Sequence, residues 1–155
     1  MKKFFWISAL ALFVIACSNS AENKTAEAKP ADAAPATAPA ADDSKGVGKF
    51  TKVDVGATLD VAMADAGNKI YDLKCSSCHK LTDERLVGPG WKDVTTRRKP
   101  EWIMNFVTNV DEMLNKDAAA QAQLEICLVR MPNQNLTDDD ARHILEFMRK
   151  NDGVK

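Results

Sequence analysis

Apolar residues along the chain fall into blocks with different periodicities. Phe4 to Ala16 is an apolar run of thirteen residues, broken only by Ser8. It is too short for a comfortable membrane span, which needs about 20 residues. From residue 18 to about 48 the pattern vanishes, and Ala, Pro, Lys, Glu, Asp and Ser dominate, with one valine and no aromatic. Periodicity returns near Asp60. Val61, Ala64, Ile70, Tyr71 and Leu73 are the candidate buried positions of a helix from about Asp60 to Lys74. A second helix begins at Pro100, a favourable first helical residue, with Ile103, Phe106, Val107 and Val110 on its apolar face. A third is introduced by Thr137 as N-cap. Asp138, Asp139 and Asp140 fill its first turn, where negative charge suits the helix dipole. Ala141, Ile144, Leu145 and Met148 form its buried face, with Phe147 alongside. Asp117–Leu128 predicts one more short helix. Phe50–Val55 alternates as a strand would, but stands alone. The expected fold class is all-α.

Charge and composition narrow the possibilities. Lys and Arg number 21 against 22 Asp and Glu, a formal charge of −1. That balance offers no basic face for nucleic acid. Residues 49–155 carry 16 basic and 17 acidic side chains and six aromatics. A core this small is marginal over roughly 100 residues unless something else fills the interior.

Cys75-Ser76-Ser77-Cys78-His79 indicates what fills it. C-x-x-C-H is the attachment signature of c-type haem. Two thiols three positions apart on a helical turn can each add to one porphyrin vinyl group, and the adjacent histidine then lies where it can ligate iron. Two other readings use the same residues: a zinc site built from Cys75, Cys78, Cys127 and His143, and a thioredoxin-like dithiol, which needs a βαβ context.

The N-terminus suits haem attachment outside the cytoplasm. Met1-Lys2-Lys3 and the apolar run after it fit an export signal. The ending Val14-Ile15-Ala16-Cys17 resembles the lipobox of bacterial lipoproteins, which implies lipidation of Cys17 and cleavage before it. The chain then divides into a signal peptide at 1–16, a lipidated Cys17 with a disordered Ala/Pro-rich tether at 17–48, and a folded domain carrying the haem motif at 49–155. Without residues 1–16 the formal charge is −3. The tether spans roughly 30 Å as a flexible coil and at most about 95 Å as extended polyproline II.

Over residues 59–151 the chain resembles the monohaem class I cytochromes c. Gly67 and Tyr71 stand eight and four residues before Cys75. The family places a glycine and an aromatic there, where the N- and C-terminal helices cross; Ile144 and Phe147 would be the matching face. Val87-Gly88-Pro89-Gly90 looks like the family's G-P segment, which implies that the Pro89 carbonyl accepts the Nδ1–H of His79. Met131-Pro132 lies 52 residues after His79 and precedes Ile144 by 13 from the methionine. The resemblance implies that Met131 is the second axial ligand, with Met113 as the main rival and His143 as a bis-histidine alternative. It also implies a polar group on a haem propionate. Trp102 is assigned that role through its indole N–H, with Arg97 and Arg98 as alternatives and Trp91 as a second pocket wall. Cys127, left over, reads as a small buried hydrophobe.

The implied fold encloses one covalent haem c within three to five helices. The implied activity is one-electron transfer rather than enzymatic catalysis, because His79 and Met131 together leave no open iron position for a substrate. Expected partners are redox proteins such as a terminal oxidase, a nitrogen-oxide reductase or a quinol-oxidising complex, met from a lipid anchor with the haem domain in the periplasm. A haem sensor or peroxidase-like protein with a labile sixth ligand, and a haem subunit of a respiratory complex, remain open alternatives.

Overall fold

The computed structural model describes residues 44–155. These belong to the second of two units into which the chain divides, Met1–Ala36 and Thr37–Lys155. The signal peptide, Cys17 and nearly all of the expected tether lie outside the described residues. Six helices follow in order: α1 (Val61–Lys74), α2 (Val94–Arg97), α3 (Pro100–Thr108), α4 (Val110–Lys116), α5 (Ala118–Cys127) and α6 (Asp138–Asn151). There is no named strand among the described residues; a single bridge pairs His79 with Arg85. The all-α expectation holds. The helices number six rather than three to five. The four-residue α2 carries no periodicity to read, and Asn109 interrupts the second predicted helix before Val110.

Helix ends follow local chemistry. The Asp60 carboxylate accepts from Met63 N–H at the start of α1, and Asp117 does the same for Ala120 N–H at the start of α5. Thr137 and Asp140 form a reciprocal capping box on α6.

The main helix contact is α1 against α6. Ala64, Gly67 and Tyr71 are the buried positions of α1. A Cβ on Gly67 would lie 2.1 Å from the His143 carbonyl oxygen and 2.8 Å from Phe147 Cβ, so only glycine lets the backbones approach this closely. The Tyr71 and Phe147 rings meet 5.4 Å apart beside the crossing. All five predicted core residues of α6 are buried. Of those predicted for α1, Ala64 and Tyr71 are buried and Ile70 is half-buried, but Val61 is 59% exposed and Leu73 86%. Leu73 lies about 200° around the helix from Tyr71. Val61 sits at the first turn, beyond the close approach at Gly67.

The folded domain starts before Lys49, which corrects the expected boundary between tether and domain. Ser44 Oγ donates to Asp117, and Val47 N–H donates to Met113 Sδ at 2.9 Å. Asn105 is 1% exposed; its amide donates to the carbonyls of Lys45 and Phe50 and accepts from Phe50 N–H. Alternation at Phe50–Val55 thus reflects an extended arm held by α3 side chains, not a strand.

Candidate cofactor site

Cys75 caps α1, its N–H on the Tyr71 carbonyl. The chain then turns so tightly that the Cys78 and His79 N–H groups both donate to the Cys75 carbonyl, at 3.0 and 2.9 Å. Tyr71 Oη donates to the His79 carbonyl at 2.7 Å, tying this turn to α1. The returning loop is stitched alongside: Gly88 N–H donates to the Cys78 carbonyl and Trp91 N–H to the Lys80 carbonyl, both at 2.9 Å.

That stitching brings the Pro89 carbonyl 2.9 Å from His79 Nδ1. A carbonyl only accepts, so Nδ1 carries the proton and Nε2 keeps its lone pair. Burial lowers the His79 pKa, against the opposing effect of the Pro89 bond, and so favours a neutral imidazole. Gly88 packs on the ring; a Cβ there would lie 2.3 Å from His79 Cε1. Trp91 stands 5.6 Å from the imidazole, centroid to centroid.

His79 lines a predominantly apolar crevice of about 150 Å³. Cys78, Pro89, Trp102, Cys127 and Met131 line the same crevice. Cys75 does not; it is buried in the core, where desolvation pushes its thiol up to about 11. Three cysteines are described and none forms a disulfide.

Met113, the rival ligand, is fully buried, accepts from Val47 N–H and does not line the crevice. His143 also stays out of it; its carbonyl packs on Gly67. Among the described residues no three Cys, His, Asp or Glu side chains gather closely enough to hold a metal ion, which removes the zinc alternative. The absence of strands there removes the thioredoxin-like one.

Trp102 corrects an expectation. Its indole N–H donates to Asp117 Oδ1 at 3.1 Å and is already committed. The ring instead serves as a crevice wall, stacked on Phe106 at 5.0 Å, with the Arg98 guanidinium 4.6 Å from its centroid. Arg97 and Arg98 both line the crevice and bring positive charge to it.

Cys127 is half-buried on the crevice wall rather than in the core; burial pushes its thiol up, and Arg85 pulls it partly back. Tyr71 as partner of the His79 carbonyl, and Asp117 as partner of Trp102, were not read from sequence. Asp117 announces itself only as a helix cap ahead of an alanine run.

A family model described as Cytochrome c matches residues 64–152. The chain belongs to the cytochrome c family. A cytochrome c from Rhodothermus marinus is 33% identical, with 68% of this chain and 90% of that one covered and a TM-score of 0.65. An engineered cytochrome c from the same organism is 32% identical over the same shares, at 0.65. A further structure of the engineered protein, bound to a carbene intermediate, gives 32% and 0.62. No curated protein matches the chain closely enough to count as a relative. As a class I monohaem cytochrome c, the protein binds one c-type haem covalently and is a haem-based electron carrier. The residues present fit that group: the Cys78 thiol, an imidazole whose Nε2 keeps its lone pair, a thioether and apolar walls meet at one crevice, and Cys75 stands on the same turn as Cys78.

Proposed function

We propose that this cytochrome c is a membrane-tethered one-electron carrier whose haem is bound through Cys75 and Cys78 and ligated by His79 and Met131. The observation that carries the reading is the Pro89–His79 bond at a crevice that Met131 also lines. Haem supplies reversible Fe(III)/Fe(II) chemistry, and a thioether ligand favours the reduced state and raises the potential. The chain's own residues do the rest. Pro89 orients the imidazole and strengthens it as a ligand. Trp91, Trp102 and Phe106 limit water. Arg97 and Arg98 are placed to offset propionate charge. With His79 and Met131 both engaged, the protein carries electrons and is not an enzyme.

Visible absorption of the haem-loaded protein, with and without carbon monoxide, tests the ligation. The expected result is a low-spin ferric spectrum with a sulfur-to-iron band, and no response of the ferrous protein to carbon monoxide. Met131→Ala should abolish the band, admit carbon monoxide and lower the potential by on the order of 0.1 V, within the span of about 0.8 V that axial ligands control. A high-spin wild-type spectrum, or a band that survives the substitution, would overturn Met131 and favour sensing or peroxide chemistry.

The tether reading rests on the residues ending at Cys17. Among the described residues no helix is long and apolar enough to cross a membrane. Two acyl chains on one cysteine anchor stably, since each buried CH₂ contributes about 0.8 kcal/mol. Anchored in the cell envelope with its haem domain in the periplasm, the protein would meet a terminal oxidase, a nitrogen-oxide reductase or a quinol-oxidising complex through small transient contacts. Cys17→Ser should move the protein from the membrane to the soluble fraction of a cell lysate. Equal membrane retention of both forms would sink the lipid anchor.

A further inference from the structure

Residues 129–136, the loop that carries Met131, make no backbone-to-backbone hydrogen bond among the described residues. The last such bond before the loop is Leu128 N–H to the Leu124 carbonyl; the next is Ala141 N–H to the Thr137 carbonyl. Side chains must therefore decide where this loop lies. Ahead of it, Arg85 donates to the Ile126 carbonyl. Near its far end, Lys74 Nζ donates to the Gln134 carbonyl at 2.9 Å.

Between these ties stands Arg130, immediately before Met131. Its Nη2 lies 3.0 Å from Asn115 Oδ1 and 3.2 Å from Asp111 Oδ1, with the Asp111 carbonyl at 3.5 Å. Asp111 and Asn115 are four residues apart on α4, so they are neighbours on its surface and one guanidinium can engage both. α4 is a firm anchor, with Val110, Met113 and Leu114 buried. Leu114, Arg130 and Met131 all line the crevice. The ligand loop is thus referenced to a packed helix through the residue next to the ligand.

We propose that Arg130 is a positioning residue for the sixth ligand, a step that rests on Met131 being that ligand. By clipping the loop to Asp111 and Asn115 it holds the Met131 thioether in the crevice and keeps external ligands out. Methionine has three rotatable side-chain bonds and adapts readily, so a loosened backbone releases it more often. Binding of an external ligand to a closed site scales with the open fraction. The pair is partly exposed, with side-chain accessibilities of 45% for Arg130 and 71% for Asp111, so the clip is also open to screening by salt.

The experiment uses haem-loaded ferric protein and imidazole as the external ligand. Arg130→Gln should speed imidazole binding by about fivefold, the upper range for an exposed pair, and Asp111→Asn should act in the same direction. The double variant should be no faster than Arg130→Gln. Haem content and helicity should stay at the wild-type level, while amide exchange quickens in residues 129–136. Raising the salt concentration should speed wild-type binding but not that of Arg130→Gln. If the sulfur-to-iron band is lost in Met131→Ala, yet imidazole binding ignores both Arg130→Gln and Asp111→Asn, the clip fails while the ligand assignment stands. If the band survives in Met131→Ala, the ligand assignment fails and the clip with it.

Discussion

The Cys75→Ala, Cys78→Ala variant is expected to lose its covalent haem and most of its native helicity. The protein has few large side chains with which to fill its interior, and a crevice of about 150 Å³ runs through the region where α3, α5 and the Met131 loop face His79. Residual cavity volume in a core costs about 24 cal/mol per Å³. Left empty, that volume would cost about 4 kcal/mol, a large share of the whole stability of about 5–15 kcal/mol that a domain has. Without the group the helices have too little to pack against. Circular dichroism after acid extraction of any loosely held haem reads the result directly. A haem-free variant with wild-type helicity would show that α1 and α6 hold the fold by themselves.

Removing the Glu146 carboxylate is the second large effect. Glu146 is fully buried on α6, where it accepts from Asp60 N–H at 2.9 Å, from Arg149 at 2.6 Å and from Arg142. Arg149 in turn donates to the Gly56 carbonyl. The cluster therefore joins the N-cap of α1 and the chain before it to the last helix. In Glu146→Ala the buried Arg149 and the Asp60 N–H lose their acceptor, and breaking a buried pair on one side costs about 3–5 kcal/mol. Chemical denaturation of the haem-loaded protein should report a loss of that size; a loss below about 1 kcal/mol, the level of an exposed pair, would mean the cluster is solvated. The same group makes an acid-side prediction. Burial pushes the Glu146 carboxyl up, but the bonds from Asp60 N–H, Arg142 and Arg149 outweigh it and hold the group below the ordinary carboxylate range. Its contribution is complete above the unfolded value of about 4.3 and is lost as pH falls through the lower folded value. Wild-type stability should therefore fall more steeply below about pH 4.3 than that of Glu146→Ala. Parallel acid curves would remove Glu146 from the acid response.

Much of the haem site is local in sequence, and that part was legible. Cys75, Cys78 and His79 occupy one turn, and Pro89 follows ten residues later, so a short loop suffices to bring its carbonyl to Nδ1. Gly67, Tyr71 and the face of α6 could be read because the family resemblance implies a glycine and an aromatic at the crossing, where the close approach leaves no room for a Cβ. Contacts between distant segments were hidden. Trp102 was given a role for its N–H that Asp117, fifteen residues on, already occupies. Polar residues such as Asn105 and Glu146 interrupt an apolar pattern, and nothing local says that they are buried. Leu73 and Val61 erred the other way, since an apolar residue on a helix surface looks the same whether or not a neighbour covers it.

By itself, the sequence pointed to the all-α class through helical periodicity and to the C-x-x-C-H turn through spacing within one turn. The imidazole's carbonyl partner and the pairing of the first and last helices came from the resemblance to class I cytochromes c, and the structure shows both. Only the tertiary structure decided between Met113 and Met131: it buries Met113 in the core and puts Met131, with Met148 of α6, at the crevice that His79 lines. It also decided where the domain begins, since the arm from Ser44 is ordered by α3 and α4 side chains rather than by any pattern of its own. The same holds for Arg130: its grip on Asp111 and Asn115 brings together residues 15 and 19 positions apart, a distance that packing closes and that local pattern does not record.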